Sequence, residues 1–217
     1  MENDNIQILI ADDHAVVRRG LAMVLNLEPD MEIVAEAENG KEAIELTEKL
    51  NPDLVLLDLV MPVMDGYLAA ETLKTRMPEI KIVILTGTHD EENIFELLEA
   101  GIEGYVFKDV EPRQLKGAIR SVMHGEAYLD PAITKLALEN PKAEKPSAPR
   151  PALTPRELEV LGWLATPNTY KEIAPQLNVS EETIRSHAKS ILHKLNQRNR
   201  AQAVLYALQA GIIDLPK

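Results

Sequence analysis

The chain has 217 residues, 45% of them hydrophobic, a formal net charge of −12 and no cysteine. That apolar share suits packed cores rather than a disordered polymer, and the lack of cysteine excludes disulfides, zinc–thiolate sites and thiol catalysis. The length suits two domains better than one, and MENDNIQILIADDH shows neither a basic leader nor an apolar run of bilayer length, so a cytoplasmic protein without a membrane partner is expected.

In chain order, short runs rich in β-branched and other apolar residues predict strands over Ile6–Ala11, Met31–Ala37, Leu54–Asp58, Lys81–Thr86 and Gly104–Phe107. Segments of helical period between them predict helices over Ala15–Leu27, Lys41–Leu50, Leu68–Arg76, Glu91–Ala100 and Pro112–His124. Five βα units imply a parallel sheet with helices on both faces, and an uninterrupted run such as Leu54–Leu57 suits a strand buried on both sides. Residues 139–152, ENPKAEKPSAPRPA, hold four prolines and form neither a strand nor a regular helix.

The charge divides near the same place. Residues 1–138 carry 12 Lys+Arg and 27 Asp+Glu, and residues 139–217 carry 11 and 8. An acidic front half and a mildly basic back half point to domains with different partners. After the prolines the strand signal disappears. Thr154-Pro155-Arg156-Glu157 has the pattern of a capping box with proline at the first helical position. Further helices are predicted over Tyr170–Leu177, from an N-cap at Ser180 to Leu195, and over Arg200–Ala210. The expected domains are residues 1–125, a linker over 126–152 that is partly helical and then proline-rich, and residues 153–217.

Ligands of open parallel sheets bind at the carboxyl ends of the strands. Here the first strand runs into Asp12-Asp13, the third ends in Asp58, the fourth ends in Thr86, and Lys108 follows the fifth. Three converging carboxylates raise one another's pKa values unless a cation sits among them, and an all-oxygen donor set favours a hard cation such as Mg²⁺. One carboxylate can then serve as a nucleophile toward a phosphoryl group, with the lysine stabilising the transferring oxygens. Taken singly, an aspartate at a strand end is usually a cap or a solvated loop residue; five such groups on one edge are a different matter. Asp65 reads as a turn or cap residue, Pro62 and Gly66 as shapers of the loop after Asp58, and His14 as a solvent-facing first-turn residue.

The segments LIADDH, LLDLVMPVMDG, ILTGT and GYVFKD resemble the signature segments of response-regulator receiver domains over residues 6–124. The resemblance implies a flavodoxin-like (βα)5 fold of strand order 2-1-3-4-5. It implies Asp58 as the phosphoacceptor, and Asp12, Asp13, Asp58 and the backbone carbonyl of Val60 as the Mg²⁺ ligands. It implies Thr86 and Lys108 as partners of the phosphoryl group, and Thr86 and Tyr105 as the switch pair. Two features depart from the family pattern. Asp109 stands where many receivers have proline, and Val60 and Thr88 offer no carboxylate or amide to steer water, which suggests slow autodephosphorylation.

In the segment from Ser180, helical spacing places Ile184, Ala188, Ile191, Leu192 and Leu195 on one face. Glu182, Ser186, Lys189, Ser190 and His193 lie opposite, flanked by Arg185 and His187, with Arg198 and Arg200 just beyond. A short helix, a tight connection and a helix with a basic outer face is helix-turn-helix order, although a basic outer face alone is usually just solvated. LTPRELEVL, KEIAPQL and NVSEETIRSHAKSILHKL resemble the DNA-binding domain of LuxR/NarL/FixJ-type regulators over about residues 153–211. The resemblance implies an all-α domain of four helices. It implies DNA contacts at Thr183, Arg185, Ser186, Lys189 and His193, and a dimerisation helix bearing Ala201, Val204, Leu205 and Leu208. Pro167 and Pro175 depart from the family pattern, and Pro175 should bend or shorten the second helix.

The expectation is a two-component response regulator and not an enzyme. A sensor histidine kinase would phosphorylate Asp58, and a homodimer would then bind double-stranded DNA and regulate transcription. Two rivals remain. One is a Mg²⁺-dependent phosphohydrolase, which needs a second acid where Val60 stands. The other is a phospho-switch whose helical domain binds protein rather than DNA.

Overall fold

The computed structural model describes residues 5–87, 101–126, 128–129, 153–166, 168–197 and 199–214. The predicted helix Glu91–Ala100, the prolines of the linker, Thr88, Pro167 and Arg198 lie outside the described residues. The chain forms two units, Met1–Gly125 and Glu126–Lys217.

In the first unit, strands β1 (Ile6–Ala11), β2 (Met31–Ala37), β3 (Leu54–Asp58), β4 (Lys81–Thr86) and β5 (Gly104–Phe107) lie in the order β2-β1-β3-β4-β5. Every pairing among them is parallel. Strand β3 is central and buried at all five residues, as an apolar run covered on both faces must be. Helices α1 (Ala15–Leu25), α2 (Gly40–Leu50) and α3 (Gly66–Arg76) separate the first four strands, and α4 (Pro112–Met123) follows β5. Asn39 and Asp65 cap α2 and α3, each accepting from the backbone N–H three residues on. The expected bounds of all five strands hold, and helix ends differ by no more than two residues, as fraying ends do.

Gly66 has a steric reason. A Cβ there would overlap the Asp58 carbonyl oxygen, and the Gly66 N–H donates to the Leu59 carbonyl at 2.9 Å. Only glycine lets the chain return this close beneath the end of β3.

The second unit holds the two-residue strand β6 (Tyr128–Leu129) and helices α5 (Pro155–Leu164), α6 (Tyr170–Gln176), α7 (Glu181–Leu195) and α8 (Arg200–Gln209). Thr154 and Thr169 each complete a capping box, and Ser180 and Asn199 cap α7 and α8. The core between them includes Val160, Leu161, Leu164, Ile173, Ile184, Ile191, Leu195 and Val204. Each such side chain contributes roughly 1.5–3 kcal/mol when fully buried. Pro175 lies inside the seven-residue α6, and the helix ends where Asn178 turns into the left-handed region, the Val179 N–H donating back to the Ala174 carbonyl at 3.1 Å.

Candidate functional site: a strand-end acidic pocket and an outward helix face

The parallel register sets the first site. Ala11 pairs with Leu57 and Leu85 with Asp58, so Asp12 and Asp58 emerge side by side, and Thr86 pairs with Phe107 ahead of Lys108. Asp12 is 0% and Asp58 2% exposed. Lys108 Nζ lies 2.6 Å from Asp58 Oδ2 and 2.7 Å from Asp12 Oδ2. Lys108 donates a hydrogen bond to Asp58 Oδ2 and forms an ion pair with Asp12 Oδ2. Asp12 Oδ1 accepts from the His14 N–H at 2.8 Å, and Arg18 Nη1 donates to the Asp12 carbonyl at 2.6 Å.

Burial, with the Asp12 charge added, holds the Asp58 carboxyl above its usual range against the pull of Lys108. Burial also works against the Lys108 ammonium, but the carboxylates of Asp12 and Asp58 outweigh it and the net shift is upward. Ligand atoms of Asp12, Asp13, His14 and Asp58 all lie within 4.8 Å of one another. A concentration of carboxylates that one ammonium must serve fits a further cation, and the donors are mainly oxygen, as a hard ion prefers.

The other expected residues fall as follows. Val60 is 63% exposed, and its N–H donates weakly to Asp58 Oδ1 at 3.4 Å. Thr86 is buried, and its carbonyl accepts from the Lys108 N–H at 2.9 Å. Tyr105 is fully buried, its hydroxyl without a hydrogen-bond partner among the described residues, and burial pushes its pKa well up. Asp65 is the cap of α3, as expected. His14 is mainly solvent-exposed, yet its Nδ1 reaches Asp13 Oδ1 at 2.6 Å, so it borders the pocket.

On α7 the outward stripe is Glu182, Ser186, Lys189 and His193. Thr183 is partly withdrawn, and its N–H and hydroxyl both engage Ser180. Arg185 is held on its own unit. Its Nη2 lies 2.6 Å from Glu181 Oε1 and 3.2 Å from Glu126 Oε1, and its guanidinium stands 5.4 Å over the Tyr170 ring. Two sequence expectations are corrected here. Ser190 faces inward and donates to Glu157 Oε1 at 2.7 Å. Arg200 is not part of a basic outer face. It is buried, and donates to the carbonyls of Leu164, Thr166 and Asn168 at 2.8–2.9 Å. On α8, Ala201, Val204 and Leu205 are buried, and Leu208 is partly exposed.

Arg18 and Glu126 escaped sequence reasoning, and so did the partners of Glu157 beyond its capping box. Arg18 anchors the Asp12 carbonyl; Glu157 binds Lys194 Nζ at 2.7 Å as well as its own cap; Glu126 accepts from the Tyr170 N–H at 3.2 Å. Glu157 lies in phase with Val160, Leu161 and Leu164, and that inner phase was the available signal.

A buried acidic pocket at the carboxyl end of a five-stranded parallel sheet, followed by a unit of helix-turn-helix order, defines the class of phosphorylation-pocket regulators. Residues 8–120 match the response regulator receiver domain, and residues 151–207 match the luxR family of bacterial regulatory proteins. The chain belongs to the response regulators that join these two domains. It is 38% identical over 216 residues to the oxygen regulatory protein NreC of Staphylococcus carnosus, spanning 96% of this chain and 100% of NreC. It is 35% identical over 209 residues to the response regulator VraR of Staphylococcus aureus, spanning 96% of this chain and 99% of VraR. Among solved structures, the response regulator ChrA of a heme-sensing two-component system superposes with a TM-score of 0.54 at 33% identity, over 97% of this chain and 100% of ChrA. The response regulator RcsB, solved in complex with DNA, superposes with a TM-score of 0.59 at 29% identity, over 94% of this chain and 98% of RcsB.

Proposed function

We propose that Asp58 is the phosphoacceptor of a two-component system and that its phosphorylation promotes dimerisation and DNA binding through α7. The observation that carries the reading is the Asp12–Lys108–Asp58 cluster at the strand ends. It presents one carboxylate to an incoming phosphorus and an ammonium to the oxygens in transit. A sensor histidine kinase would supply the group. An Asp58 carboxylate oxygen forms the new P–O bond, the P–N bond of the donor phosphohistidine breaks, and the imidazole leaves with the electron pair.

Asp12, Asp13, Asp58 and the carbonyl of Val60 would hold Mg²⁺, which supplies charge neutralisation for the incoming phosphoryl group. Lys108 holds the Asp58 oxygen in place, and Arg18 fixes the backbone at Asp12. Thr86 would donate to the phosphoryl group once it is attached, and Tyr105 would follow that movement. The local charge change then biases a two-state element, with the dimer and its DNA complex favoured in one state. Thr183, Arg185, Ser186, Lys189 and His193 of α7 are the expected contacts to double-stranded DNA; of the α8 residues Ala201, Val204, Leu205 and Leu208, the first three are buried and Leu208 is the one with surface to offer a dimer contact. Residues 1–125 would form the receiver, 126–152 the linker and 153–217 the DNA-binding domain.

No described helix is long and apolar enough to cross a membrane, which fits a cytoplasmic transcription regulator. The phosphohydrolase rival lacks a second acid at position 60. The protein-binding rival draws support from the internal engagement of Arg185. Genome-wide DNA capture with wild type and Asp58→Asn side by side tests the proposal. Discrete sites enriched by the wild type and depleted in Asp58→Asn are expected; a protein that enriches no sites would hand the reading to protein binding.

A further inference from the structure

The outward stripe of α7 carries a single acid. Glu182, Ser186, Lys189 and His193 are exposed at spacings of four, three and four residues, so they share one face. Arg185 stands one position off that stripe and is occupied by Glu181, Glu126 and the Tyr170 ring. Its hydrogen bond to Glu181, above all, pushes its already high pKa further up, so the charge stays where those partners hold it. Glu182 differs from its neighbour Glu181: among the described residues no hydrogen bond or ion pair engages its carboxylate. It lies in the first turn of α7, and the N-terminal residues of a recognition helix are the ones that meet base edges.

The chemistry of a carboxylate at that place is restrictive. It accepts only, and it repels phosphates, so it cannot serve as a backbone anchor. In the major groove, guanine offers N7 and O6, both acceptors, and thymine offers the acceptor O4. Adenine sets an acceptor N7 beside its amine. Cytosine alone presents an amine with no acceptor of its own beside it. We propose that Glu182 is a specificity-determining residue of the DNA-binding helix, its carboxylate accepting from cytosine N4 in the major groove. Ser186 and Lys189, one and two turns further along the same face, then lie over the adjoining bases and phosphates. This inference rests on the DNA-binding reading above.

The test is binding-site selection from a randomised duplex DNA pool. It uses the full chain with beryllofluoride and Mg²⁺, as wild type, Glu182→Ala, Glu182→Gln and Lys189→Ala. Because Glu182 is exposed and unpartnered among the described residues, both of its variants should fold, which circular dichroism checks. The wild type should select a site with a C·G pair that Glu182→Ala no longer prefers, a loss of about fivefold or more at that position. Glu182→Gln should move the preference there toward A·T, since an amide reads adenine N6 and N7. The salt dependence of binding should stay that of wild type, because no phosphate contact is removed. Identical base preferences in wild type and both Glu182 variants overturn the assignment. A wild type that selects no sequence, together with a Lys189→Ala variant that binds as wild type does, overturns the DNA-binding reading itself and Glu182 with it.

Discussion

Lys108 reaches across from the end of β5 to the end of β3 and places its ammonium 2.6 Å from Asp58 Oδ2, while the same nitrogen lies 2.7 Å from Asp12 Oδ2. One cation thus serves two buried carboxylates. Burial first, and Asp12 as a further charge, raise the Asp58 pKa above 3.8. A raised carboxyl favours the fold in its neutral form: that contribution is complete below the unfolded value and is lost as pH rises through the folded one. Asp58→Asn removes the charge while keeping the shape. In EDTA at neutral pH, Asp58→Asn should therefore raise the midpoint of thermal unfolding, by on the order of 1 kcal/mol in stability. The gain should fade as the pH is lowered toward 3.8. The same variant should take up no phosphoryl group from acetyl phosphate by intact-mass analysis. Full incorporation would remove Asp58 from its role.

The receiver pocket was legible in the sequence because its residues sit at the ends of strands that the apolar runs delimit. Once β1, β3, β4 and β5 are placed, the parallel register brings Asp12, Asp58, Thr86 and Lys108 together. The helical half was legible in its elements and less so in its faces. Arg200 read as a surface base because basic residues following a recognition helix usually are. Its phase with Ala203, Val204 and Ala207 says otherwise, but a periodicity argument discards a charged residue at an inner position. The three backbone carbonyls that satisfy the Arg200 guanidinium come from the end of α5 and the segment after it, which no local pattern announces. The contact of Arg185 with Glu126 escaped for the same reason, since Glu126 is distant in sequence.

Glu157 is 4% exposed and accepts from Thr154, Ser190 and Lys194. The Lys194 hydrogen bond, above the others, lowers its pKa from 4.5 to about 2. A depressed carboxyl stabilises the fold above its unfolded pKa, and the contribution is lost as pH falls through the folded one. The helical unit should therefore weaken between about pH 4.5 and pH 2. Trp163, the single tryptophan of the chain, packs against that core and reports it by fluorescence. Glu157→Gln should lower urea stability at neutral pH by about 2 kcal/mol, as lost cap and charged hydrogen bonds do. It should also flatten the acid limb. A variant with the wild-type acid limb would mean that other carboxylates govern it.

Val63 has φ 67, in the left-handed region, and is 84% exposed. A β-branched residue there is strained by roughly 1–3 kcal/mol, and exposure means that no core packing compensates. Asparagine tolerates the conformation better. Val63→Asn should raise urea stability by about 1 kcal/mol. Val63→Gly should gain less, because glycine loses more backbone entropy on folding. Denaturation midpoints of the three proteins decide the matter. A destabilised Val63→Asn would show that the valine side chain makes contacts that outweigh the strain.

Arg200 supports the entry to α6. It is buried; its Nε donates to the Leu164 carbonyl at 2.9 Å, and its Nη2 donates to those of Thr166 and Asn168 at 2.8 and 2.9 Å. The guanidinium also stands 5.6 Å from the Tyr170 ring centroid, on the first residue of α6. Burial lowers its pKa, against the pull of Tyr170 and Glu126, but a guanidinium remains charged at neutral pH all the same. The planar fork is what lets one side chain bind three carbonyls, and lysine cannot reproduce it. Arg200→Lys should therefore fail to rescue. Both Arg200→Lys and Arg200→Ala should lower the stability of the helical unit by about 2–4 kcal/mol, because carbonyls are left unpaired in the interior. The loss should appear in the Trp163 unfolding curve and in DNA affinity together, while phosphoryl incorporation at Asp58 stays unchanged. An Arg200→Lys protein as stable as wild type would show that charge alone, without the fork, holds the segment between α5 and α6.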